Sequence, residues 1–151
     1  MDCLEFMKTL PDGCIDLTVT SPPYDELRNY EWSLVWDFEV FSKIAKELSR
    51  VTKDWWVVVW VVWDATINWS ETGTSFRQAL FFKDICWMNI HDTMIWEKQT
   101  FTDTWSLQTR YAWVFEFMYV FSKWKPITFN PIFDRSNKWP RKKHWTVRQK
   151  D

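Results

Sequence analysis

In "IDLTVT", residues 15–20, Ile15, Leu17 and Val19 alternate with more polar neighbours. A period of two marks a strand. This one is expected to be buried and to end in Ser21-Pro22-Pro23-Tyr24. From Asp37 the period changes. Phe38, Phe41, Ile44, Ala45 and Leu48 recur three and four apart, which predicts a helix over 37–51 with Asp37 as its N-cap. The apolar run "WWVVVWVVW", 55–63, is far shorter than the roughly 20 residues of a membrane helix. Its valines favour a strand, over 57–62. A second helix follows at "TSFRQALFFKD", with Thr74 or Ser75 as cap. Two further strands are predicted over 88–98 and 114–123, joined by a Thr-rich loop over 99–110. Before all of these, "MDCLEFMKTLPDG" supplies a strand end, a short helix and a turn at Pro11-Asp12-Gly13. Residues 25–36 form a polar, aromatic connection of a length more often functional than structural.

Strands alternating with helices predict a mainly parallel sheet covered on both faces. The last two strands have no helix between them and are expected to pair antiparallel. With 151 residues the chain is one domain or a piece of one.

Composition adds an anomaly. Glycine occurs twice and tryptophan 14 times, where average usage of about 7% would give roughly ten glycines. Trp55, Trp56, Trp63, Trp69, Trp105, Trp124 and Trp145 fall beside polar or turn-forming residues. Turns of this kind often need a positive φ, which glycine supplies and tryptophan does not. The expectation is that many of these tryptophans stand where the gene means glycine, through UGA codons read with the wrong table. Trp36, Trp60 and Trp96 lie within apolar patterns and read as true tryptophans. The competing explanation is an aromatic-rich surface that stacks bases or sugars.

The net charge of −1 gives no global attraction to nucleic acid or membrane. Locally, however, Lys138 to Lys150 carries Lys138, Arg141, Lys142, Lys143, Arg148 and Lys150 without an intervening acid. Such a segment is either a phosphate-contacting patch or a solvated end. Cys3, Cys14 and Cys86 are odd in number and form no CxxC, which points to reduced thiols in the cytoplasm and to neither a disulfide framework nor a zinc site. The two histidines, His91 and His144, suggest no metal centre.

In an open α/β sheet, ligands bind outside the carboxyl ends of strands, where Ser21-Pro22-Pro23-Tyr24 lies. By itself this tetrapeptide also ends strands for structural reasons. Its chemistry nonetheless suits an exocyclic base amine, whose lone pair is withdrawn into the ring. Two acceptors aimed at its hydrogens would draw the nitrogen toward a tetrahedral shape. Ser21 Oγ is one; the Pro22 carbonyl, on a backbone fixed by both prolines, is the other. Tyr24 offers a flat face for a base taken out of its duplex.

With its surroundings, "DCLEFMKTLPDGCIDLTVTSPPYDELRNY" resembles the opening of the DNA amino-methyltransferases that modify cytosine N4 or adenine N6. "FSKIAKELSRVTKDWWVVVWVVWDATI", "HDTMIWEK" and "FEFMYVFSKWKP" resemble later parts of that family, which reads "KDGG", "VGD" and "SKGKP" where this chain has tryptophan. The resemblance implies an incomplete Rossmann-like methyltransferase fold. Residues 1–128 would be the catalytic half, and 129–151 the start of a basic target-recognition or linker segment. It further implies S-adenosylmethionine as methyl donor, double-stranded DNA as substrate and a flipped target base. Ser21, Pro22, Pro23 and Tyr24 would be catalytic, with Pro23 holding the turn. Asp2 would lie near the cofactor pocket, although it reads equally well as a helix cap. Arg135, Lys138, Arg141, Lys142, Lys143 and Arg148 would contact phosphates, which position a protein without reading sequence. Serine before Pro-Pro-Tyr leans toward cytosine N4. The family's Phe-x-Gly-x-Gly-like cofactor loop has no counterpart here, so the missing half of the same enzyme is an expected partner. The alternatives are a non-catalytic, aromatic-rich module that stacks on single-stranded nucleic acid and an inactive fragment.

Overall fold

The computed structural model describes residues 2–24, 36–99 and 109–132. Helix α1 (Cys3–Lys8) leads into strand β1 (Ile15–Thr20), followed by α2 (Phe38–Val51), β2 (Thr52–Val62), a hairpin of β3 (Thr66–Ile67) and β4 (Ser70–Glu71), α3 (Thr74–Asp84), β5 (Asn89–Glu97) and β6 (Phe115–Ser122). The main sheet has the order β1-β2-β6-β5. β1 pairs parallel to β2, while β6 runs antiparallel to both β2 and β5. Three strands therefore point one way, and the last strand inserts between two of them against their direction. The expected antiparallel final pair is present. Its insertion at the centre of the sheet carried no signal in the pattern, because β6 is apolar on both faces wherever it sits.

α2 forms for the reasons its sequence gives. Asp37 accepts from Val40 N at 2.8 Å, and the apolar spacing puts Phe41, Ile44, Ala45, Leu48 and Val51 on its buried face. Against them pack Val58, Trp60 and Val62 of β2, Tyr119 and Phe121 of β6, and Phe82 of α3. Phe41 is fully buried and meets the rings of Phe38, Trp60, Phe81 and Phe82. Trp60 donates its indole N–H to Gln78 Oε1 at 2.8 Å, which satisfies a polar group that burial would otherwise penalise. α1 is held to α2 by Arg50, whose guanidinium donates to the carbonyls of Met7 and Leu10 and pairs with Asp12 and Glu47.

The opposite face of the sheet differs from expectation. Side chains alternate across a strand, so Val57 and Val59 face away from the helices, level with Leu17 and Val19 of β1. Leu17 and Val19 are 53% and 64% exposed, not buried. The helices cover one face only, and Met94, Met118 and Val120 continue the apolar surface on the other. The sequence pattern was that of a strand covered on both sides, and the described residues supply cover for one.

Other boundaries moved for local reasons. β2 begins at Thr52 with no turn after α2. Ile15 of β1 lies opposite Thr52 and Leu17 opposite Val57, so the segment expected to be a turn is a bulge within the strand. α3 is capped by neither Thr74 nor Ser75. Gly73 is its N-cap, with φ 66°, and the buried carboxylate of Asp64 accepts Ser75 N at 2.8 Å and also the Ser75 hydroxyl. Asp2 is the N-cap of α1, and the strand end expected there is not seen among the described residues.

Three tryptophans adopt left-handed backbone: Trp55 (φ 71°), Trp69 (φ 68°) and Trp87 (φ 57°). Trp55 sits in the β2 bulge. Asn68 (φ 49°) and Trp69 are the two central residues of the β3–β4 hairpin, where both positions need positive φ and Asn-Gly is the preferred pair. Trp87 follows α3 and turns the chain so that Met88 N donates back to the Phe82 carbonyl at 3.0 Å. Each is a place where glycine fits and a β-carbon is strained. Trp56, Trp63 and Trp124 are not among the positive-φ residues, so the positive φ expected at those turn tryptophans is absent. Trp105 and Trp145 lie outside the described residues.

All three cysteines are free. Among the described residues no helix is long and apolar enough to cross a membrane, and no cluster of His, Cys, Asp or Glu could hold a metal ion.

Candidate active site

Four chain segments meet at one edge of the sheet. β1, β2 and β5 end there, with Ser21, Trp63 and Lys98 just beyond or near their last residues; β6, running the other way, begins there with Phe115 and Glu116. The reversal of β6 thus brings an acid from the start of one strand to the carboxyl ends of three others.

Ser21 is exposed, Pro22 is buried, and Pro23 and Tyr24 are half-buried. The two prolines carry the chain off β1 so that the Ser21 and Tyr24 hydroxyls meet, Oγ to OH, at 2.5 Å. The Tyr24 hydroxyl also donates to Glu116 Oε2 at 2.8 Å. The other oxygen of Glu116 receives Lys98 Nζ at 2.6 Å. Glu116 is 8% exposed, a depth at which a carboxylate needs both a counter-charge and hydrogen bonds. Lys98 lies over the Trp63 ring, 4.1 Å from its centroid. The same ring meets Tyr24 edge to face at 6.4 Å and approaches Trp113 at 6.0 Å. Among the described residues the buried Trp63 indole nitrogen has no hydrogen-bond partner.

The arrangement offers an exposed serine oxygen at a strand end, a rigid Pro-Pro turn behind it, and an aromatic ring tethered at its hydroxyl. Two fixed acceptors and a stacking surface for a planar amine can be built from these parts. Glu116 and Lys98 escaped the sequence reading. A signal for Glu116 was available: it is the one acid inside the apolar run "VFEFMYVF", and charges in such runs are buried only when paired. Lys98 carried no comparable mark.

Asp2 is not brought into this cluster by any contact. Its carboxylate accepts Leu4 N at 2.8 Å and Glu5 N at 3.3 Å, which is the capping alternative. Arg135, Lys138, Arg141, Lys142, Lys143 and Arg148 lie outside the described residues, as does most of the 25–36 loop.

Comparison with known proteins places the chain in a family. Residues 15–151 match the DNA methylase family of the N6/N4 class. Over 140 residues the chain is 54% identical to the orphan methyltransferase M.BamHII of Bacillus amyloliquefaciens, covering 91% of this chain and 49% of that protein. Among solved structures, the cytosine-N4-specific PvuII DNA methyltransferase superposes with a TM-score of 0.71 at 19% identity, over 83% of this chain and 48% of that one. The M1.HpyAVI–SAM complex does so with a TM-score of 0.62 at 17% identity, over 91% and 61%. These structural likenesses show a shared methyltransferase fold, and the chain spans about half the length of the first two relatives. By the family match over most of its residues, the chain belongs to the N6/N4 DNA methylases.

Proposed function

We propose that this chain is the catalytic half of an S-adenosylmethionine-dependent DNA methyltransferase that modifies an exocyclic amine of a flipped base. The observation that carries the reading is the Ser21–Tyr24 contact at the carboxyl end of β1, anchored on Glu116. Ser21 Oγ and the Pro22 carbonyl would accept the two amine hydrogens, Pro23 would fix the turn, and the Tyr24 ring would stack on the base. The methyl donor would supply the electrophilic carbon. The serine favours cytosine N4 as target over adenine N6. Double-stranded DNA is the substrate of this reading, with Arg135, Lys138, Arg141, Lys142, Lys143 and Arg148 contacting its phosphates. Asp2 serves it through α1, as cap.

The sheet face that the described residues leave uncovered bears on the rest of the enzyme. Leu17, Val19, Met94, Met118 and Val120 form an apolar surface that a complete α/β sheet would bury. Its natural occupant is the cofactor-binding half, which supports the reading of a chain that needs that half to position both reactants. Holding them in line is worth roughly 7–11 kcal/mol. The stacking-module alternative draws less support, because Trp55, Trp69 and Trp87 stand at turns and a bulge that need left-handed backbone.

Transfer of tritiated methyl from S-adenosylmethionine to unmodified duplex DNA tests the proposal. The chain would be assayed alone and supplied with the complementary half of its BamHII relative. Transfer that depends on that half and falls in Tyr24→Ala is expected. Undiminished transfer in Tyr24→Ala would remove the stacking role, and tight binding to single strands without transfer would favour the module.

A further inference from the structure

We infer that Glu116 sets the direction of the hydrogen-bond chain through Tyr24 and so presents Ser21 to the substrate as an acceptor. The inference rests on the methyl-transfer reading and assigns a positioning residue to the same site. Tyr24 and Ser21 each have one hydroxyl proton. Glu116, ion-paired to Lys98 at 2.6 Å, accepts and does not donate. The tyrosine proton is therefore committed to Glu116 Oε2, 2.8 Å away. In the 2.5 Å contact between Ser21 and Tyr24, the only remaining proton is that of serine. Ser21 must donate to Tyr24. Its own proton is thereby turned inward, and the lone pairs of its exposed oxygen are left for the hydrogens of an incoming amine. With the direction reversed, Tyr24 would donate to Ser21, and the serine proton would point at the very amine it should accept from. Lys98 belongs to the device because its ammonium takes the other carboxylate oxygen and leaves Oε2 to Tyr24, and the Trp63 ring beneath Lys98 confines it. The same tether fixes the Tyr24 ring at its far end, in the place where stacking is required.

Glu116→Gln preserves shape but offers an amide that can donate to the Tyr24 oxygen. Neutron diffraction from deuterium-exchanged crystals locates the hydroxyl deuterons of Tyr24 and Ser21 directly. In the wild-type chain the Tyr24 deuteron is expected on the line to Glu116 Oε2 and the Ser21 deuteron on the line to Tyr24. In Glu116→Gln the Tyr24 deuteron is expected to turn to Ser21, with Lys98→Arg retaining the wild-type positions. In the enzyme completed with its cofactor half, Glu116→Gln should lower kcat about tenfold, the effect of one charge-assisted hydrogen bond, and leave KM for DNA nearly unchanged. A Tyr24 deuteron that stays on the contact with residue 116 in Glu116→Gln would overturn the inference. So would a full kcat in a variant whose hydroxyl deuterons have reversed. The expected deuteron positions, together with a completed wild-type enzyme that transfers no methyl group, would overturn the methyl-transfer reading and leave the hydrogen-bond direction standing.

Discussion

Ser21→Ala should lower the methyl-transfer rate of the completed enzyme by about 10²–10³-fold, the range seen when one preorganised polar group is removed from the place where charge develops. The geometry argues for an effect on kcat. Ser21 is exposed at the end of β1, and its hydroxyl meets that of Tyr24. Losing the hydroxyl leaves Tyr24 still tied to Glu116 and the Pro-Pro turn intact, so the fold should be undisturbed. An unchanged unfolding midpoint together with the rate loss checks this. If Ser21→Ala kept its full rate, an acceptor role for this oxygen would be untenable.

Replacing Trp55, Trp69 and Trp87 together by glycine should stabilise the chain. A non-glycine residue in a sparsely populated backbone region costs on the order of 1–3 kcal/mol, and glycine returns roughly 0.5–1 kcal/mol of that through its freer unfolded state. A net gain of about 1 kcal/mol per site is expected, or about 3 kcal/mol in all, which for a chain of this size corresponds to roughly 2–4 °C per kcal/mol. The side chains lost are poor in contacts. Trp69 and Trp87 are 81% and 84% exposed, and Trp55 has Trp124 as its ring partner at 5.9 Å. Trp60 is the internal control: it is buried and bonded to Gln78, and its removal should destabilise. The same reasoning expects UGA codons at 55, 69 and 87 and UGG at 60. A lower midpoint in the triple variant, or UGG at all four codons, would refute the glycine reading.

What the sequence could show followed from period and punctuation. β1 was bounded to the residue by its alternation and by Pro22-Pro23, and α2 by Asp37 and its apolar spacing. Trp55 and Trp69 were marked by their turn-forming neighbours, whereas Trp87 was hidden between apolar residues at the end of α3. The bulge in β2 was read as a turn because both need the same backbone angles. Burial of Leu17 and Val19 could not be told from the alternation, which records an apolar face and not whether anything lies against it. In the site, Ser21 to Tyr24 were legible because they are contiguous. Glu116 lies 92 residues from its tyrosine partner. It reaches Tyr24 only because β6 enters the sheet backwards between β2 and β5, a choice made by packing and not by local pattern.

The account turns on the target being an exocyclic amine gripped at Ser21. Unmodified DNA treated with the completed enzyme and S-adenosylmethionine, then digested to nucleosides and separated by mass spectrometry, tests it most directly. N4-methylcytosine, absent when Ser21→Ala is used, is the predicted product; N6-methyladenine would keep the amine chemistry and reverse the lean toward cytosine. A methyl group found on a ring carbon such as cytosine C5, or on no base at all, would contradict the account.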